Sequence, residues 1–166
     1  MNGVKRYLLS VAVLVAALLA TMPLYAQESA ATESYTFNHG PYLQALSYDG
    51  VTICFSTSHR GFSGVELRVK GSDEAQLYRT SKDGLFEADN TFNAIRIDGL
   101  SAATEYEYRL TSKRMLSFEP YKVVFGEQIT SPWYSFRTFD PAADEVTFVV
   151  ANDIHDDAQK CAALLD

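Results

Sequence analysis

Ile97–Leu110 reads IDGLSAATEYEYRL. Asp98-Gly99 is a turn pair, Leu100 follows inside the turn, and Tyr106 stands at the head of an alternating run. In that run Tyr106, Tyr108 and Leu110 fall on one side, and Glu105, Glu107 and Arg109 on the other. Period-two alternation is the signature of a strand with one buried face. A Leu in the turn with a Tyr at the start of the next strand is the spacing of a tyrosine corner. There the phenol bonds back to the upstream backbone and locks the connection. Leu100 and Tyr106 are therefore the structural residues of this turn.

The same period extends in both directions. VTICFST puts Val51, Ile53 and Phe55 on one face, and GVELRVKG sets Val65, Leu67 and Val69 against Glu66, Arg68 and Lys70. AIRID, YKVVF and WYSFRTF supply further runs. Asp49-Gly50, Gly61, Gly71-Ser72, Asp83-Gly84, Asp98-Gly99 and Ser131-Pro132 separate them. Short alternating strands, regular turn signals and no helical period between them predict a mainly β fold, an antiparallel β-sandwich over residues 37–139. Ten Tyr and ten Phe suit strands.

The ends read differently. Lys5 and Arg6 precede an apolar run that closes at Ala26, an order of cation, apolar core and small residue that predicts a signal peptide over 1–26 and an exported protein, periplasmic or extracellular. The uninterrupted apolar core from Tyr7 to Ala20 is short for a membrane span, so no stable span is expected after its removal. Residues 27–36, QESAATESYT, read as a linker. The formal charge of −7 becomes −9 without the two cations of the signal, and no cluster of Lys and Arg stands against it, which excludes nucleic acid as an expected partner. Cys54 and Cys161 read as two single thiols.

The size near 100 residues and the tyrosine-corner spacing together resemble a fibronectin type III domain. NHGPYLQALSYDGVTICFST narrows the resemblance. Gly40, Pro41, Tyr42, Leu43 and Gln44 match the opening of the fibronectin-like N-terminal domain of purple acid phosphatases and related secreted phosphoesterases, with Phe55 where that family often has Trp. In the family this domain accompanies a metallophosphoesterase domain.

Near residue 140 the pattern breaks at Pro141, and VTFVVAND follows as a continuous apolar run, read as a strand buried on both faces of an α/β sheet. It ends at Asp153-Ile154-His155, where residues two apart on a strand project to the same side. DDAQKCAALLD then reads as a helix capped by Asp156 or Asp157. The segment resembles the first motif of calcineurin-like metallophosphoesterases, with Asn152 where that family usually has Gly or Ser. True purple acid phosphatases lack a His at the position of His155. The resemblance implies that Asp153 and His155 ligate one of two divalent metals (Mn, Fe or Zn) which activate water against a phosphate ester. It also implies that 140–166 is the incomplete start of the catalytic domain. On this reading the chain is an inactive N-terminal part of a secreted hydrolase, carrying no catalytic residue of its own, and the rest of the catalytic domain is its intramolecular partner.

The alternative is an exported fibronectin-like binding or adhesion module without catalysis, for glycans or protein partners. Tyr42, Tyr78, Tyr121, Trp133 and Tyr134 would then be contact residues, unless they fill the core. The long stretch SKRMLSFEPYKVVFGEQITSPW, residues 112–133, is the expected place of an exposed apolar surface.

Overall fold

The computed structural model describes residues 33–148 and residue 150. The signal peptide, Asp153, His155, Cys161 and the expected terminal helix lie outside the described residues, and among those described no helix occurs.

Nine strands follow in order: β1 (Phe37–Gln44), β2 (Gly50–Val69), β3 (Gln76–Tyr78), β4 (Ser81–Lys82), β5 (Leu85–Phe86), β6 (Asn90–Asp98), β7 (Glu105–Glu119), β8 (Lys122–Thr130) and β9 (Tyr134–Arg137). Seven form one hydrogen-bonded antiparallel sheet, while β4 and β5 make a small hairpin of their own. That hairpin turns at Asp83 (φ 53°) and Gly84 (φ 80°), both left-handed as a two-residue turn of this hand requires.

The 20-residue β2 organises the sheet. Its first half lies between β1 and β6, and its second half between β3 and β7. The partner changes at Gly61, which pairs with both Asn90 of β6 and Arg114 of β7. The sequence reading made Gly61 a turn between two strands, but the chain runs through it as one bent strand. A side chain there would collide with the Tyr35 hydroxyl and come within 2.7 Å of Ser112 Oγ. Glycine is thus required by the close approach of neighbouring groups.

The sheet curls so that one face encloses the core. Val51, Ile53 and Phe55 of β2 and Ile95 and Ile97 of β6 meet Val65 and Leu67 of β2, Tyr106, Tyr108 and Leu110 of β7, and Phe136 of β9 in a single buried cluster. These are the inward phases of the alternation seen in the sequence. Each fully buried large apolar side chain contributes on the order of 1.5–3 kcal/mol relative to exposure. Phe55 is completely buried.

The connection from β6 to β7 is closed by side chains. The Tyr106 hydroxyl accepts the Ser101 N–H at 2.9 Å, and Leu100 packs against the core. Thr138 Oγ1 donates to the Ser101 carbonyl at 2.7 Å and accepts the Thr104 N–H at 3.0 Å, tying the end of β9 to the same turn. At the other end of the core, Tyr35 is buried and its hydroxyl shares a hydrogen bond with Ser112 at 2.5 Å. Its N–H donates to Glu127 Oε1 at 3.1 Å. The described end of the stretch read as a linker therefore lies against the sheet.

Of two further expectations, one is met and one is not. Residues 112–133, the expected place of an exposed apolar surface, form most of the β7–β8 hairpin, turned at Pro120-Tyr121. The hairpin leaves Leu116, Phe118, Tyr121, Val123, Val124 and Phe125 exposed. Residues 146–148, expected to begin a buried strand, belong to no strand, and Val146, Phe148 and Val150 are each more than three-quarters exposed. With no neighbouring ladder among the described residues, an apolar run has nothing to satisfy its backbone groups as a strand.

Candidate ligand-binding cleft

Beyond Gly61, alternation sends Phe62, Gly64, Glu66 and Arg68 of β2 to the outer face of the sheet. The adjoining positions of β7 are Lys113, Thr111, Arg109 and Glu107, each directly opposite its β2 counterpart. Opposite charges across two of these rungs pair: Arg109 Nη2 lies 2.6 Å from Glu66 and Arg68 Nη2 lies 2.8 Å from Glu107. Trp133 covers both guanidinium groups, at 4.1 Å from Arg68 and 4.7 Å from Arg109. This half of the face is self-satisfied.

The other half is not. Phe62 of β2, Lys113 of β7 and Gln128 of β8 form one cross-strand row. With Thr111, Phe125 and Arg79 they line a cleft of about 280 Å³. Phe125 comes from β8, opposite Met115, and its ring lies 6.3 Å from that of Phe62. Phe86, at the end of the small hairpin, packs edge-on against Phe62 with ring centres 6.3 Å apart. Gly64 permits the remaining wall, because a side chain there would meet Leu77 at 2.9 Å, the Tyr78 carbonyl at 3.0 Å and Arg79 Cγ at 3.3 Å. The lack of a Cβ lets the Arg79 stem settle beside Phe62, with its guanidinium 4.3 Å over that ring.

The electrostatics of the cleft are one-sided. Arg79 and Lys113 make no ion pair among the described residues, and no carboxylate lines the cleft. Arg79 Nε is shielded from solvent and has no hydrogen-bond acceptor among the described residues. Burial pulls the Arg79 guanidinium below its ordinary value, the result of a desolvated cation without an anion beside it. The Lys113 ammonium lies 4.9 Å from the Phe125 ring centre. Gln128 Nε2 donates to Thr111 Oγ1 at 3.3 Å, which leaves the Gln128 carbonyl and the Thr111 hydroxyl hydrogen available to a ligand. Rings, two uncompensated cations and neutral polar groups converge here, a combination suited to binding and orienting a small ligand.

None of the five aromatics proposed from sequence as contact residues lines this cleft. Tyr42 is on β1 over the buried Cys54 thiol, and Tyr78 packs against the core. Tyr121 is fully exposed at the hairpin tip, Trp133 covers the arginine pairs, and Tyr134 rests on Tyr108 with ring centres 5.5 Å apart. Burial raises the Cys54 thiol, offset in part by its hydrogen bond to Tyr42, and Cys54 is a free cysteine. The sequence signal for the cleft was Phe62, a large ring on the otherwise polar phase of β2.

The match of Gly40–Gln44 has a local structural explanation. Gly40 has φ +87°, and a Cβ there would come within 2.6 Å of the Cys54 carbonyl. The register of β1 on β2 shifts between His39 and Tyr42, so glycine is demanded by an irregularity in strand pairing whatever the protein does. Among the described residues no group of three or more His, Cys, Asp or Glu is placed to hold a metal.

No protein-family model matches the chain, and no curated protein matches it. Among solved structures, the chain is similar to the crystal structure of a Br derivative of BhCBM56, a carbohydrate-binding module, at 18% identity and a TM-score of 0.38, over 61% of this chain and 97% of that one. It is also similar to the solution structure of the sensor domain of the anti-sigma factor RsgI4 in Pseudobacteroides cellulosolvens, at 10% identity and a TM-score of 0.41, over 74% of this chain and 96% of that one. These findings correct the expected family. No family model and no curated protein supports a metallophosphoesterase, and Gly40, the first residue of the Gly40–Gln44 likeness, answers the pairing of β1 with β2. The calcineurin-like and purple acid phosphatase-type assignment, the hydrolase parent and the reading of the chain as part of one are therefore dropped.

Proposed function

We propose that the chain is an exported, non-catalytic binding module whose outer-face cleft receives a saccharide. On this reading residues 37–139 form a two-layer sandwich of the fibronectin type III kind, with β1, β6 and the first half of β2 in one layer and the rest of the sheet in the other. Support for the layering comes from the change of partners at Gly61 and from the core shared between the halves of β2. Support for export comes from the cation, apolar and small-residue order of residues 1–26; no helix of the described residues is long and apolar enough to cross a membrane.

The observation that carries the binding function is the row Phe62–Lys113–Gln128 with Phe125 and Arg79 around it. Ring faces accept the CH face of a sugar, while Thr111 and Gln128 offer partners to its hydroxyls. The cleft is at the small end of ligand sites and suits one ring-sized group at a time. Titration calorimetry of the full chain against a panel of neutral and acidic oligosaccharides tests this. At least one should bind, and Phe125→Ala, at an exposed position, should weaken it about tenfold or more, roughly the loss of one good ring contact. Binding unaffected by Phe125→Ala, or no binding across the panel, would refute the assignment.

A further inference from the structure

Which saccharide the cleft favours follows from its charge. Resting on the saccharide reading above, we infer that the ligand is acidic: a uronate-bearing saccharide whose carboxylate lies between Arg79 and Lys113 while its ring packs on Phe62 and Phe125.

Among the described residues six of the eleven Lys and Arg are ion-paired, while Lys82, Lys122 and Arg137 stand unpaired away from the cleft. Arg60 is with Asp89, Arg68 with Glu107, Lys70 with Glu105, Arg96 with Asp98, Arg109 with Glu66 and Arg114 with Glu127. This is the expected state of a chain with 21 acids and 14 Lys and Arg. Against that surplus of carboxylate, Arg79 and Lys113 line one cleft with none. Arg79 is half-buried, and the face of Phe62 is what covers its guanidinium. A partly desolvated cation without a counter-charge is costly, and an incoming anion recovers that cost. The guanidinium fork matches a carboxylate in a planar, two-bond geometry, and the Lys113 ammonium lines the same cleft and can close on the same group.

The rest of the lining decides between anions. A bare inorganic anion has no use for the ring of Phe125 or the face of Phe62. An acidic peptide would be held by a continuous apolar groove, whereas four of the six lining residues are polar and the volume suits a single ring. A uronate uses all three features: carboxylate on the cations, CH face on the rings, and hydroxyls on Thr111 and Gln128.

Calorimetry on the full chain with trigalacturonate, its fully methyl-esterified form, cellotriose and sodium sulfate tests the inference. The acid should bind at least tenfold more tightly than its ester, weaken as salt is raised, and fall to the level of the ester in both Arg79→Gln and Lys113→Gln, with unchanged circular dichroism. Two cation variants are used so that a folding defect in one leaves the other informative. Acid and ester binding equally, both still sensitive to Phe125→Ala, would overturn the acidic inference and leave the saccharide cleft standing. If no sugar bound, both would fall. Sulfate binding as tightly as the uronate would overturn the assignment of a sugar acid.

Discussion

Replacing Tyr106 by Phe removes a single oxygen from the turn between β6 and β7. The ring remains buried and stacked on Phe136, with centres 5.6 Å apart, so packing is conserved. What is lost is the 2.9 Å bond from the Ser101 N–H. A typical hydrogen bond contributes about 0.5–1.5 kcal/mol net, and a partly buried N–H left without an acceptor costs about 1–3 kcal/mol. Because Ser101 is exposed at the turn, water can reach part of the vacancy, which places the expected loss at about 1–2 kcal/mol. For a domain of this size each kcal/mol lowers Tm by roughly 3–6 °C. Thermal and urea unfolding of the full chain should therefore show a drop of roughly 3–12 °C with an unchanged m-value. Tyr108→Phe is the matched control: its ring is equally buried, but its hydroxyl makes no hydrogen bond among the described residues. If Tyr106→Phe were no more destabilising than Tyr108→Phe, the phenol would not be the lock.

Gly40→Ala should destabilise by about 1–3 kcal/mol, measured by the same unfolding curves, since it combines a left-handed backbone with a 2.6 Å approach to the Cys54 carbonyl. A neutral result would remove the strand-pairing explanation of the Gly40–Gln44 stretch. Burial, with Tyr134 beside it, pushes the Tyr108 phenol up to about 12. Its neutral form is thus favoured in the folded state. The stability it contributes is intact below the ordinary phenol value and lost as pH rises from 10 to about 12. Near-ultraviolet titration should show the late ionisation in wild type and its absence in Tyr108→Phe, and an unchanged titration in that variant would contradict the assignment.

What the sequence made legible was local. The Tyr106 corner spans five residues between donor and acceptor, and the inward phases Val51, Ile53, Phe55, Val65 and Leu67 are written in period two. Gly61 was misread because a glycine that permits close packing of Tyr35 and Ser112 looks, in one dimension, like a glycine that permits a turn. The cleft was illegible for the same reason. Phe62, Arg79, Lys113 and Gln128 become neighbours only through the registers of β2 with β3 and β7 and of β7 with β8. Register is set by packing over long separations and not by spacing along the chain. Short motifs drew attention instead. In the Gly40–Gln44 stretch Gly40 answers a backbone demand, and a motif without its structural context carries little about chemistry.

The most direct test of the binding account is residue-by-residue nuclear magnetic resonance of the isotope-labelled full chain during titration with trigalacturonate. Perturbed amides are expected to centre on Phe62, Arg79, Thr111, Lys113, Phe125 and Gln128, with the Trp133 side of the sheet unchanged. Saturable shifts confined to the Trp133 side or to the Tyr121 hairpin tip, or no shifts with any saccharide of the panel, would contradict it.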